Sequence, residues 1–144
     1  MKRIEEGLPW LLSIIAIILC YFYYPQWIKI DTLIEKFPDI GTFTFGFLLT
    51  LFGLIHQGSS NVIDNFKKQK DLYKRFVHLN RNAVYVSLAL TLYTYMVHNI
   101  IDLNEGDTIL NKVAVAIFVG GLVYFMLTAI YFLMVFYKLV EIDT

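Results

Sequence analysis

Charged and apolar positions are segregated along this chain. All 24 Asp, Glu, Lys and Arg fall within 53 positions, and the other 91 lie in four charge-free runs, residues 7–28, 40–63, 82–101 and 113–137. These runs are 22, 24, 20 and 25 residues long. A helix crossing the hydrocarbon layer of a bilayer needs about 20 mostly apolar residues, so each run predicts one crossing. The expected fold is an all-α membrane protein forming one domain over residues 1–144, with four transmembrane helices at about 8–27, 40–58, 82–101 and 112–137.

Two connecting segments carry patterns of their own. Residues 26–37 mix Trp27, Ile28, Ile30, Leu33, Ile34 and Phe37 with charges. Such a stretch is too apolar for a free loop and too short to span, which predicts a short amphipathic helix on the outer membrane surface. Residues 64–81 lack Pro and Gly and are rich in Lys, with Ile63, Phe66, Tyr73 and Phe76 at roughly helical spacing. Gly58-Ser59-Ser60-Asn61 just before reads as a break, with Ser60 or Asn61 as N-cap. A basic cytoplasmic helix running into helix three is the prediction.

Charge placement then sets the orientation. With the N-terminus inside, the inner segments hold Lys2, Arg3, Lys67, Lys68, Lys70, Lys74, Arg75, Arg81 and Lys138, and the outer ones only Lys29, Lys36 and Lys112. The excess of inner Lys and Arg places both termini in the cytoplasm, as expected for a bacterial inner (cytoplasmic) membrane protein. Trp10, Tyr21, Tyr23, Tyr24, Trp27 and Tyr137 fall near the predicted boundaries, where aromatic belts form. The first run has a basic start, but Tyr21-Phe22-Tyr23-Tyr24-Pro25 offers no small-residue cleavage site, so it reads as a retained helix. Composition adds that 58% of residues are hydrophobic and 17% charged, against about 25% charged in soluble domains. A soluble enzyme, a nucleic-acid-binding domain and a disulfide scaffold are all disfavoured, the last by a single Cys.

Inside the runs, small and polar residues form stripes. At 100° per residue, Thr42, Gly46, Thr50, Gly53 and Gln57 of helix two share a sector of about 80°, with His56 just off it. Ser87, Thr91, Thr94 and His98 share about 60° of helix three, with Asn80 in the same sector. Helix four carries Ala114, Gly121 and Thr128 at intervals of seven, and Ala116 with Gly120. Small residues at such spacing let helix backbones approach closely, and hydroxyls can bond across the contact. Alternatively, hydroxyls and backbone line a watery path for ions. Packing is the expectation for helix four; for helices two and three both readings stand. Four helices are too few to enclose an aqueous pore, so conduction would require a homo-oligomer.

Other chemistry is thinly represented. No Asp, Glu, Lys or Arg lies within a run, whereas ion-coupled carriers usually keep one on their pathway. His56 and His98 are predicted at opposite membrane faces, and His78 has no nearby Cys or paired carboxylates. Neither a metal site nor a cofactor site is expected, and nothing pairs a nucleophile with a base. His98 with Asp102, one turn apart, is the nearest approach to a dyad, and a helix-end hydrogen bond accounts for it. The chain is not expected to be an enzyme or to bind nucleic acid.

The whole pattern resembles the small four-helix exclusion (abortive-infection) membrane proteins of bacteria and their prophages, the group that includes the membrane component of the lambda Rex system. The likeness lies in length, four spans, a polar outer loop after the first and a basic loop between the second and third. Locally it rests on Phe47-Leu48-Leu49-Thr50-Leu51-Phe52-Gly53-Leu54-Ile55 running into a polar, then Lys-rich, segment. It implies an ion channel or a membrane effector that depolarises or protects an infected cell, and it carries no catalytic residues over. The leading expectation is therefore an oligomeric inner-membrane protein that forms or gates an ion-permeable path lined by helices two and three. Lys67, Lys68, Lys70, Lys74 and Arg75 would contact lipid headgroups or a separate cytoplasmic sensor or effector protein. The alternative is a non-conducting anchor or accessory subunit of a larger complex.

Overall fold

A computed structural model of the chain describes residues 2–23, 30–57, 68–100 and 109–141. Four helices make up nearly all of them: α1 (Lys2–Tyr23), α2 (Ile30–Gln57), α3 (Lys70–Ile100) and α4 (Ile109–Glu141). The principal contacts are α1 on α4, α4 on α3 and α3 on α2. Register follows from individual pairs: Ser13 meets Gly120, Tyr93 meets Ala114, and Asn80 meets Leu48. With the further pairs Trp10–Tyr124, Leu90–Gly121 and Thr91–Gly41, advance along one helix matches retreat along the next, so neighbours are antiparallel and the chain runs up, down, up, down.

Each of these three interfaces is built in the same way, from one glycine and one polar side chain. On α1–α4, Gly120 lies beneath Ile17, and Ser13 Oγ donates to the Gly120 carbonyl at 2.7 Å. On α3–α4, Gly121 lies beneath Leu90, and the Tyr93 hydroxyl donates to the Ala114 carbonyl at 2.9 Å. On α2–α3, Gly41 lies against Thr91, and Asn80 Nδ2 donates to the Leu48 carbonyl at 3.2 Å. A Cβ on any of these glycines would overlap its neighbour. In a bilayer, where lipid is as apolar as a leucine, close backbone approach and interhelical hydrogen bonds hold helices together.

Apolar packing divides into two layers. Cys20, Ile34, Phe37, Leu90, Val115 and Phe118 belong to the layer on the side that the charge pattern predicts to face outward, here the outer layer, which draws on all four helices. There Phe37 sets its ring edge-to-face against Phe118 and Phe125, with centroids 5.5 and 6.5 Å apart. The inner layer joins α2, α3 and α4 only, through Leu48, Ile55, Phe76, Ala83, Phe132 and Val135.

The structure corrects the predicted outer-surface helix. Residues 30–37 are not a separate element; they are the first two turns of a single 28-residue α2 that continues through Pro38. The reason is one unbroken seam. Ile34, Phe37, Gly41, Leu48 and Ile55 recur at helical spacing on both sides of the proline, and all five are buried. The bond lost at Pro38 is outweighed by continuing that packed stripe. The basic helix does run into helix three, as α3, from Lys70; the predicted break at residues 58–61 and the segment 61–67 lie outside the described residues.

Among the described residues, two helices are long and apolar enough to cross a membrane, over Thr32–Ile55 and Ile109–Lys138. The apolar stretch Gly7–Tyr23 of α1 is shorter, and α3 is diluted by Lys70, Lys74, Arg75, Asn80, Arg81, Asn82 and its hydroxyls.

Candidate functional site

The two polar stripes have different surroundings. In α3, Ser87 and Thr94 are completely buried and Thr91 is half-buried beneath Gly41, so this stripe forms the seam with α2. Its hydroxyls do not reach across the contact. Ser87 donates to the Val84 carbonyl, Thr91 to Ser87 and Thr94 to Leu90, at 2.8–3.0 Å. A hydroxyl satisfied by its own helix can be buried among apolar groups at little cost. Only His98, at the far end, is exposed.

The α2 stripe turns outward. Thr42, Gly46, Thr50 and Gln57 are exposed and Gly53 is half-exposed, and a Cβ at Gly46 or Gly53 would meet nothing within 4 Å. Thr50 Oγ1 donates to the Gly46 carbonyl at 2.9 Å. The stripe is therefore an exposed strip of small residues flanked on one side by the exposed Phe43, Phe47 and Leu54. His56 lies beside it in sequence, but its side chain is outside the described residues.

Continuity of α2 adds to this face residues that the sequence pattern had assigned to the segment connecting the first two spans. At 100° per residue, Glu35 and Asp39 fall inside the sector of Thr42, Gly46, Thr50, Gly53 and Gln57, and both are exposed. One face of α2 thus begins with two carboxylates and continues as hydroxyls, open backbone and an amide. Extending the helical count back through Pro38 was the signal available.

The basic segment also resolves into parts. Lys68, Lys70 and Lys74 are exposed, Arg75 turns toward α4 beside Tyr131 and Met134, and Lys67 lies outside the described residues. Lys74, His78, Arg81 and Tyr85 share a sector of about 60° on α3. His78 is the hub of this face. Arg81 Nη2 lies 3.5 Å from its Nδ1, and Asn82 Nδ2 lies 3.3 Å from its Nε2. An imidazole accepts at one ring nitrogen at most, so His78 takes a hydrogen bond from Arg81 or from Asn82 Nδ2 but not from both at once. Neither His78 nor Arg81 was among the predicted contact residues.

No family model matches the chain, and no curated protein or solved structure matches it. Function therefore has to be argued from these surfaces. Among the described residues, no three His, Cys, Asp or Glu come together as metal ligands would.

Proposed function

We propose that the chain is a bacterial inner-membrane protein whose four helices each cross the bilayer, with both termini cytoplasmic. Copies associate through α2 to form or gate an ion-permeable path, in the role of a defence or exclusion effector. The observation that carries this reading is the outward face of α2. Only 17% of its apolar window is buried within the chain, against 39% for α4. A face of exposed backbone and hydroxyls is a poor surface for lipid and a good one for a second copy, because small residues allow close approach. Glu35 and Asp39 at one end of that face would favour cations, as rings of carboxylates do.

The large apolar side chains on the outside support the bilayer as solvent. Phe22, Phe43, Leu54, Tyr85, Met126 and Met134 are each more than half exposed, and so extensive an apolar surface would aggregate in water.

The test is membrane potential, read by a voltage-sensitive dye in cells expressing the chain or its Thr50→Leu variant at matched levels. Depolarisation by the wild type, lost in the variant while assembly persists, is the expected result. Equal depolarisation by both overturns α2 as the lining.

A second reading has its own support in the exposed Lys68, Lys70 and Lys74: a non-conducting anchor or accessory subunit that docks a cytoplasmic protein. Absence of depolarisation, with loss of a co-purifying protein on reversal of Lys68 and Lys70 to Glu, would select it.

A further inference from the structure

A groove of about 510 Å³ runs between α1 and α3 over the surface of α4. It exists because α1 rests on α4 and belongs only to the outer packing layer, leaving its inner half apart from α3. Trp10, Ser13 and Ile17 form one wall, Tyr85 and Val86 the other, and Tyr124 lies in the floor. The lining is mostly apolar with a few polar groups, and the volume is in the range of small-molecule sites, about 300–1,000 Å³. At its inner end the groove meets Asn82, which contacts His78. His78 in turn lines a separate hollow of about 290 Å³ with Tyr73, Lys74, Val77 and Arg81. The apolar groove thus ends one turn of α3 away from a cationic cluster, to which the Asn82–His78 contact joins it.

We propose that this composite surface binds one anionic phospholipid from the leaflet on the basic side, with its phosphate at Lys74, His78 and Arg81 and an acyl chain in the groove. The inference rests on the membrane reading above, but not on conduction. Charge complementarity selects the occupant. Arg81 offers a planar fork and Lys74 a compact ammonium, both suited to phosphate oxygens. Asp71, the one carboxylate of α3 among the described residues, shares the sector of His78 and Asn82 but lies a turn before Lys74, at the end of the cluster farther from the groove. A zwitterionic lipid would bring its own cation to the same place, and a soluble phosphate would leave the trough unfilled.

Trp10 is built into the wall and 61% exposed, so it can report the occupant. The chain has two tryptophans, and Trp27→Phe leaves Trp10 as sole fluorophore. The full-length protein is reconstituted into phosphatidylcholine nanodiscs and titrated with phosphatidylglycerol or phosphatidylcholine brominated on the acyl chains. The expected result is half-quenching of Trp10 at a mole fraction of phosphatidylglycerol roughly thirtyfold below that of phosphatidylcholine, as two surface cations would give. High salt and the Lys74→Gln/Arg81→Gln variant should both erase the preference. Ile117→Phe, which fills the groove from a half-exposed position, should weaken quenching by either lipid, and Lys138→Gln, elsewhere on the surface, should change nothing. Equal quenching by both lipids overturns the site, as does a preference that survives the double variant. Should that variant not assemble, a wild-type preference unmoved by salt overturns it as well. Quenching by neither lipid means instead that α1 is not in the bilayer, a failure of the membrane reading itself.

Discussion

Glycine does opposite things at different positions of this chain, and the neighbours decide which. Gly41 lies against Thr91, whereas Gly46, one and a half turns on, faces open space. Gly41→Val should force α2 and α3 apart, at a cost of about 1–3 kcal/mol for overpacking. Gly46→Ala relieves a helix-interior glycine without a clash and should stabilise the folded chain by about 0.5–1 kcal/mol. Thermal unfolding of the two variants in detergent checks both signs at once, and equal destabilisation would contradict the placement of α2. The sequence alone could name both as small residues of helix two, but not rank them. The stripe arithmetic there gave prominence to Gly46 and Gly53, and Gly41 entered only when α3 was seen against it. Serine and threonine make the same point. Their bonds run back to their own helix carbonyls, so Thr50 and Thr94 have nearly identical local chemistry and opposite exposure.

At the scale of the element, α2 was the hardest to read. Charges at Asp31, Glu35, Lys36 and Asp39, with Pro38 among them, make its first two turns look like a surface segment. What the hydropathy blocks hide is that these charges lie off the seam of Ile34, Phe37 and Gly41. A helix can carry charges on one face and a packed stripe on the other, and a charge-free run therefore marks the hydrocarbon layer but not the ends of the helix. The consequence is testable at Phe37. In a surface helix Phe37→Ala would be tolerated, whereas loss of a ring packed on Phe118 and Phe125 leaves a cavity. Stability should fall by about 3 kcal/mol, the lower end of the usual range for such truncations, because lipid removes most of the transfer contribution and leaves the cavity one. Equilibrium unfolding in mixed micelles measures it. Helices α1 and α4 were legible as elements because each opens near the charge boundary and continues an apolar run, and α3 because its basic first turns keep helical spacing into the run.

For the whole molecule, the question is what covers the outward face of α2. Cys20 is the only cysteine and is buried, so Cys20→Ser gives a background for introduced thiols. Thr50→Cys should yield disulfide-linked dimers in native membranes under mild oxidation, and Thr94→Cys, completely enclosed in the α2–α3 seam, should yield none. Absence of dimers from both would remove α2 as a contact between copies. The same arrangement explains why an open groove persists between α1 and α3: a linear order of contacts, α1 to α4 to α3 to α2, leaves helices that are never pressed together along their full length.

The sequence by itself determined the all-helical character and the block structure that suits a bilayer, because apolar length and charge placement are properties of local composition. It also located the polar stripes, since these follow from helical periodicity alone. Only the tertiary structure decided which stripe is interior and which is surface, that Gly41, Gly120 and Gly121 mark the three seams, and that Lys74, His78 and Arg81 adjoin an apolar groove. Those facts depend on which helix stands beside which, and packing partners are chosen by the fit of whole surfaces rather than by any residue's own chemistry.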